Sequence, residues 1–205
     1  MPEEKIDLKK ELKAFYNPSR KAPVLVDVPA INFIMVDGEG DPGVAQAYFD
    51  AVGALYGVAY SVKFALKAEG SSPDFSVMPL EALWWADDMN DFVDARRDRW
   101  KWTAMIAMPD FVTAADVDEA KVRAAKKNDN PSIGVVRLEH FKEGPAAHIM
   151  YLGRYSDEGP TIAALHQFIT DNGKHLSGLH HEIYLSDPRR TAPEKLKTVI
   201  RQPFA

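Results

Sequence analysis

The sequence predicts an α+β fold built from two βαββ units. Stretches with strand-like alternation and stretches with helical spacing of apolar residues follow one another along the chain, and the second half repeats the order of the first. With 205 residues, 46% of them hydrophobic and 27% charged, the chain is long enough to bury a substantial core. We expect each helix to cover one face of its strands, so that the uncovered faces of the two halves line a ligand cleft.

The N-terminal stretch is predicted to form a short amphipathic helix that ends before Pro18. Its apolar residues recur at positions i, i+4 and i+7, namely Leu8, Leu12 and Phe15. We expect residues 1–22 to form an arm against a ligand-binding domain that comprises residues 23–205.

The first unit begins with a strand over residues 32–37, and a long helix over residues 44–67 follows the turn-rich GEGDPG. The helix carries an apolar stripe of Tyr48, Val52, Leu55, Ala59, Val62 and Leu66. Three aromatic residues widen this stripe, namely Tyr56, Tyr60 and Phe64. The wide apolar stripe predicts that the helix is largely buried. Strands are expected over residues 75–86 and 100–108, joined by an Asp/Arg-rich exposed loop or short helix. A second helix is predicted over residues 116–127.

The second unit repeats this order with strands over residues 133–141 and 146–155, a helix over 161–170, and strands over 178–186 and 196–201. The repeat is weak, but corresponding positions of the two halves carry similar residues. The GDP before the first long helix corresponds to EGP before the second, and TAMIAMP corresponds to TVIRQP. The natural outcome is a duplicated βαββ arrangement.

The strand over residues 178–186 contains the most informative residue of the chain, Glu182. Alternation places Leu179, His181, Ile183 and Leu185 on one face and His180, Glu182 and Tyr184 on the other. Glutamate is depleted in strands and is costly to bury without a partner. The strand alone therefore leaves two interpretations open, an exposed face or a polar position inside a pocket.

Aromatic residues are concentrated in a few segments, namely Trp84, Trp85, Trp100, Trp102, Tyr151 and Tyr155. Trp84 and Trp85 are adjacent and should point to opposite sides of a strand, whereas Trp100 and Trp102 should share a face. Each could be an ordinary core residue. Together, opposite a strand that carries Glu182 and Tyr184, they predict a pocket for planar hydrophobic or cationic small molecules.

Several classes of function are disfavoured. A net charge of −5 without a basic stripe argues against direct nucleic-acid binding. The sequence contains no cysteine, no signal segment and no membrane-spanning run. These features predict a cytoplasmic protein that does not enter membranes. His180 and His181 point to opposite faces, so no metal is predicted, and no nucleotide motif suggests a cofactor.

Five segments resemble the GyrI-like small-molecule-binding family in its stand-alone form. They are HHEIYLSDPRR with PEKLKTVIRQP, YLGRYSDEGPTI, PLEALWW, WKWTAMIAMP, and the N-terminal run from DLKKELKAFYNPS to MVDGEGDP. The resemblance implies a duplicated βαββ fold of the SOUL type, with a cleft between its halves and residues 23–205 as the GyrI-like domain. It also implies that Glu182 faces the ligand. We expect no room for a helix-turn-helix module before the fold, so the regulator function of fused relatives does not carry over.

The resemblance implies two kinds of activity, and the sequence does not choose between them. Some stand-alone members resemble hydrolases that open the cyclopropane of DNA-alkylating natural products. Glu182 would then be the general base, with Tyr184 orienting water or substrate, His180 and the aromatics binding the ligand, and burial raising the pKa of Glu182. The alternative is a non-catalytic drug-sequestering module or a protein-binding inhibitor of the topoisomerase-inhibitor type. A haem carrier is less favoured, because no isolated exposed histidine on an amphipathic helix stands out as the haem ligand.

Overall fold

The computed structural model describes residues 5–70, 72–88, 90–93 and 96–205, which form a mixed helix and sheet structure. The strands are β1 (Val24–Glu39), β2 (Leu80–Trp85), β3 (Lys101–Met108), β4 (Arg137–Leu152), β5 (His180–Tyr184) and β6 (Lys197–Pro203). The helices are α1 (Leu8–Glu11), α2 (Lys13–Tyr16), α3 (Gln46–Glu69), α4 (Asn90–Val93), α5 (Ala114–Ala125) and α6 (Gly159–Asp171).

The order of these elements agrees with the predicted order. The first run is β1, α3, β2 and β3, then α5 intervenes, and the second run is β4, α6, β5 and β6. An α+β fold is therefore confirmed. That the two runs are copies of one structural unit stays a prediction.

Several boundaries differ from the sequence-based expectation. Strand β1 begins at Val24 instead of residue 32, and β2 begins at Leu80 instead of residue 75. The N-terminal helix is two short helices, α1 and α2, interrupted at Leu12. The strands predicted over 133–141 and 146–155 are one strand, β4, because Gly144 adopts a left-handed φ of 76° that bends the chain without ending the strand. The Asp/Arg-rich segment contains α4 and a 3₁₀ turn over Arg97–Arg99, while its residues 89, 94 and 95 lie outside the described residues.

The chain divides into two compact units, and the first comprises the segment that ends at Glu11, Ile31–Leu80 and Trp84–Phe141. In it, β1 pairs antiparallel with β3, and β2 is the other neighbour of β3. Helix α3 packs against β3 and α5. The buried side chains of α3 include the predicted Leu55, Ala59, Val62 and Leu66.

The prediction that aromatic residues widen the buried stripe of α3 is wrong. Phe64 is 60% exposed and Tyr60 is also exposed. The rings of Tyr56, Tyr60 and Phe64 instead stack along the helix surface, with centroids 6.5 Å and 6.1 Å apart. Residues four apart are neighbours on a helix surface whether or not a second layer covers them, so the spacing alone did not establish burial.

The second unit comprises Leu12–Ala30, Glu81–Leu83 and Lys142–Ala205. Strand β6 pairs antiparallel with β4 on one side and β5 on the other, and β2 is the next neighbour of β5. Helix α6 covers this sheet through a core of Ala147, Ile149, Leu165, Ile169 and Ile200. Pro160 lies in the first turn of α6, where its missing N–H costs no helical hydrogen bond. Across the described parts of the chain, no helix is long and apolar enough to span a membrane.

Candidate functional site

Glu182 lies in the middle of β5 and is only 8% exposed. His180 Nε2 lies 3.1 Å from Oε1 of Glu182, and the Tyr184 hydroxyl donates to Oε2 at 2.8 Å. Because an ionised carboxylate only accepts, the His180 nitrogen donates. The alternation of β5 therefore brings His180, Glu182 and Tyr184 together on one face, and the interpretation of an exposed glutamate is wrong.

This face of the second unit is the one that α6 covers. Glu182 pairs with Ile200, and Ile200 pairs with Ile149 on the next strand. Directly paired residues point to the same side of an antiparallel sheet, and both isoleucines belong to the core beneath α6. The expectation that Glu182 lies on an uncovered face is therefore wrong for this unit. Glu182 lies between the sheet and the helix layer.

The pKa of Glu182 is lowered from its ordinary value. Burial alone raises it, but hydrogen bonds with His180, Tyr184 and the side chain of Glu158 together outweigh burial. The expectation that the pocket raises this pKa is thus wrong. It took account of desolvation but not of the hydrogen bonds that Glu182 accepts. Glu182 is a carboxylate at neutral pH. Glu158 was missed as a site residue, since the sequence indicated only the turn before a helix.

A second tyrosine near Tyr184 is Tyr155, which lies in the 3₁₀ turn Tyr155–Asp157. The ring of Tyr155 meets the ring of Tyr184 edge to face, with centroids 5.6 Å apart. Burial, with the charges of Glu182 and Glu158, raises the pKa of Tyr155 to about 12, so its phenol stays protonated. Tyr151 packs beside the α6 core, and its hydroxyl donates to the Arg154 carbonyl at 3.0 Å.

The four tryptophans belong to the first unit, and three of them form an aromatic cluster there. Tyr48 contacts both Trp84 and Trp102, with ring centroids 5.9 Å and 5.1 Å away. Trp100 meets Trp84 edge to face at 6.0 Å. Trp84 and Trp102 are buried, and a Cβ at Gly38 would overlap the Trp102 ring, which explains a glycine in the facing strand. Half-buried Trp85 follows Trp84 in β2 and so points to the opposite face.

The opposite face of β5 carries a buried charge network that the sequence did not reveal. His181 is 1% exposed, and its two ring nitrogens each lie 3.0 Å from a carboxylate oxygen, one of Glu81 and one of Glu143. Arg201 donates to Glu143 at 2.7 Å. Two carboxylates, one imidazolium and one guanidinium balance in charge, which is the condition for burying them.

The shifts of the pKa values fit this pairing. Burial lowers the pKa of His181, but the interactions with Glu143 and Glu81 outweigh burial, so the pKa is raised. Burial raises the pKa of Glu143, but the interactions with His181 and Arg201 outweigh burial and lower this pKa to about 2. His148 is paired across the sheet with Arg201 and has no hydrogen-bond partner for its ring among the described residues. Burial and the Arg201 charge lower its pKa to about 4, so it is neutral.

Helix α2 attaches to this network. The Tyr16 hydroxyl donates to Glu81 at 2.6 Å, and Arg201 donates to the Phe15 carbonyl at 2.8 Å. Within the described residues, no group of three or more histidine, aspartate or glutamate side chains is arranged to hold a metal ion.

Comparisons with known proteins place this geometry in context. Residues 21–204 match the model of the GyrI-like small molecule binding domain family. A crystal structure of an uncharacterised conserved protein from Listeria innocua is 43% identical, with a TM-score of 0.90, and the match covers 98% of this chain and 100% of that chain.

Two crystal structures described as hydrolases from Listeria innocua are each 41% identical, with TM-scores of 0.85 and 0.87 and the same coverage of both chains. No curated protein matches the sequence.

Proposed function

We propose that this chain, which belongs to the GyrI-like small-molecule-binding domain family, is a hydrolase that binds a planar small molecule beside Glu182 and adds water to it. The observation that carries the proposal is the buried Glu182 carboxylate, held in place by an imidazole and a phenol. The similarity to Listeria innocua hydrolases over nearly the whole chain supports catalysis in addition to binding.

The proposed substrates are planar compounds that carry a strained cyclopropane conjugated to a ring carbonyl, as in DNA-alkylating toxins. Glu182 takes a proton from water while the water oxygen bonds to a cyclopropane carbon. The breaking C–C bond sends its electron pair to the carbonyl oxygen, which takes up a proton and becomes a phenol. Tyr184 and Tyr155 orient the water and the carbonyl.

The lowered pKa of Glu182 suits this role in one respect and limits it in another. The base is already ionised at neutral pH, so on the acid side turnover should fall as Glu182 is protonated. A carboxylate stabilised by two donors is also a weaker base. Strain in the cyclopropane supplies part of the driving force, so the substrate needs no strong base.

The second candidate is a non-catalytic module that sequesters drugs or inhibits a protein partner. Its favouring observation is the same pair of hydrogen bonds, because a buried carboxylate with both oxygens bonded is a fixed anion for a cationic ligand. The two candidates assign different consequences to the loss of the negative charge.

The variant Glu182→Gln separates the candidates, since it keeps the volume of the side chain and removes the base. If Glu182 catalyses water addition, turnover should fall by about 10²–10⁴ while affinity changes little. If it is only a counter-charge, affinity for a cationic ligand should weaken by roughly 0.5–2 kcal/mol. Exposed Glu194 provides the control variant Glu194→Gln. Wild-type turnover in Glu182→Gln would overturn the proposed base.

A further inference from the structure

We propose that the exposed side of helix α3 is a self-association surface, through which two copies of this chain pair with their α3 helices antiparallel. The proposal goes beyond the proposed function and does not depend on the chemistry of Glu182. It concerns the first unit alone, because all of α3 belongs to that unit. We name this surface the α3 face, and it comprises Phe49, Gly53, Tyr56, Gly57, Tyr60 and Phe64.

The α3 face is apolar where an exposed helix side is ordinarily charged. Residues 51–62 contain no charged side chain. Phe49 and Tyr60 are 49% and 47% exposed, and Phe64, one helical turn beyond Tyr60, is more exposed still. Helices at the surface of soluble proteins carry polar residues on their outer side, and a contiguous exposed apolar patch indicates an interaction site. The α3 face therefore has the composition of an interface.

Gly57, near the middle of α3, has no explanation in the packing of its own chain. Glycine in a helix interior is destabilising relative to alanine. A Cβ at Gly57 would meet open space, whereas a Cβ at Gly53 would lie 3.2 Å from the side-chain nitrogen of Asn130. Packing thus explains Gly53 but not Gly57. A second helix that packs closely on Gly57 would explain it, because the distance between two helix axes depends on the side chains at the contact.

The spacing of residues on the α3 face is complementary to itself. Consider two antiparallel copies of α3 about a two-fold axis that passes between Tyr56 and Gly57. Phe49 precedes this axis by as many residues as Phe64 follows it, so Phe49 of one copy lies opposite Phe64 of the other. In the same register Gly53 lies opposite Tyr60, which places a ring over a position without a side chain. A contact that uses the same patch on both copies is the usual form of a two-fold dimer.

The charges that border the α3 face fit the antiparallel direction. Asp50 lies near the start of α3, where its carboxylate accepts from the Gln46 side chain at 2.8 Å. Lys67 lies near the end, and its side chain is 58% exposed although it also pairs with Asp74. Antiparallel copies bring Lys67 of one chain to the end of α3 that carries Asp50 in the other, whereas parallel copies bring like charges together. They also place the partial positive charge of each helix N-terminus beside the partial negative charge of a C-terminus.

The size of the α3 face sets the expected affinity. A helix of 24 residues is about 36 Å long and about 10 Å wide. This area is smaller than the roughly 800 Å² per partner that a stable protein interface buries. We therefore expect a weak dimer whose population depends on protein concentration.

Analytical ultracentrifugation of the full chain from about 1 µM to about 1 mM, the range of weak association, tests the proposal. The mass should rise from one chain toward two. Phe64→Glu should weaken the dimer about 10²-fold, because it places a carboxylate against an aromatic ring of the other copy. Leu176→Glu is the control, since Leu176 is an exposed apolar residue of the second unit, and it should associate like the wild type. A monomer at all concentrations, or wild-type association of Phe64→Glu, would overturn the proposal.

Gly57→Leu separates close helix packing from general hydrophobic association. Leucine favours the helix and adds exposed apolar area, so unspecific association would become stronger. In the proposed dimer the new side chain lies where the two helices come closest, and we expect Kd to rise about 10-fold or more. The unfolding temperature of the dilute protein should not fall. Tighter association of Gly57→Leu would overturn the proposed packing.

The absence of cysteine from the sequence allows a direct test of the register. Gly57→Cys lies next to the two-fold axis and should form a disulfide-linked dimer on mild oxidation, since a disulfide requires Cα atoms within about 7 Å. Ala68→Cys is the control on the same side of α3, because its two copies would lie about 34 Å apart along the helices. Linkage in Gly57→Cys but not in Ala68→Cys supports the register. Equal yields from both variants, or no linked dimer from Gly57→Cys, would overturn it.

Discussion

Two adjacent residues of β5, His181 and Glu182, have opposite surroundings although only one peptide bond separates them. Glu182 faces a phenol, an imidazole and a second carboxyl group below α6. His181 faces two carboxylates in a charge-balanced network on the other side. Alternation in a strand is sufficient to separate these two environments, so a substitution at one position should leave the chemistry of the other in place.

Replacing His181 with glutamine should lower the free energy of unfolding by about 3–5 kcal/mol, because it leaves two buried carboxylates without their cation. The exposed His175 provides the control, and His175→Gln should stay within about 0.5 kcal/mol of the wild type. Urea denaturation measures both variants. A loss below about 1 kcal/mol for His181→Gln would contradict the assigned network.

The same comparison carries a pH test. Because the folded-state pKa of His181 is raised, its contribution to stability is complete below the ordinary pKa of about 6.5 and is lost as pH rises through the folded value. The stability gap between wild type and His181→Gln should therefore be larger at about pH 6 than at about pH 9. A gap that grows with pH would contradict the raised pKa.

The sequence predicted that His180 and Tyr184 share the face of Glu182, but it did not predict the partners that lie far away along the chain. Alternation is a local property and fixes which side chains share a side of β5. The partners of His181 are 38 and 100 residues away along the chain, so no local pattern identifies them. The direction of the Glu182 pKa depends on the same kind of distant contact, here with Glu158.

At the scale of single elements, α3 shows both the strength and the limit of periodicity. The stripe that includes Leu55 and Val62 is buried as predicted, because the helix packs against β3 and α5 along that side. Tyr60 and Phe64 satisfy a helical period equally well and are exposed. Periodicity indicates which residues lie in line on a helix, whereas burial depends on where the neighbouring elements lie.

Replacing the fully buried Leu55 with alanine should cost about 2–5 kcal/mol, through lost burial and the cavity left between α3 and its neighbours. The folded fraction should still bind ligand, since Leu55 belongs to the core. Leu25→Ala is the matched control, because Leu25 is exposed and should change stability little. Thermal unfolding checks both, and wild-type stability in Leu55→Ala would disprove the core assignment.

At the scale of the whole molecule, the order of strands and helices followed from turn signals and alternating periods. The turn signals misled where a glycine bent β4 without ending it, since Gly-Pro occurs both in bends and in chain reversals. The tryptophans gather in the first unit around Tyr48, while Glu182 and its partners gather in the second. That both groups contact one ligand remains a prediction.

The central claim is that Glu182 activates water against a strained ring. The most direct measurement is incubation of the wild type and Glu182→Gln with a duocarmycin-like cyclopropane compound in ¹⁸O-labelled water, followed by mass spectrometry. The wild type should produce a ring-opened product that contains one ¹⁸O atom, and Glu182→Gln should open the ring about 10²–10⁴ times more slowly. Ring opening by the wild type no faster than in buffer alone would contradict the claim for this class of compound.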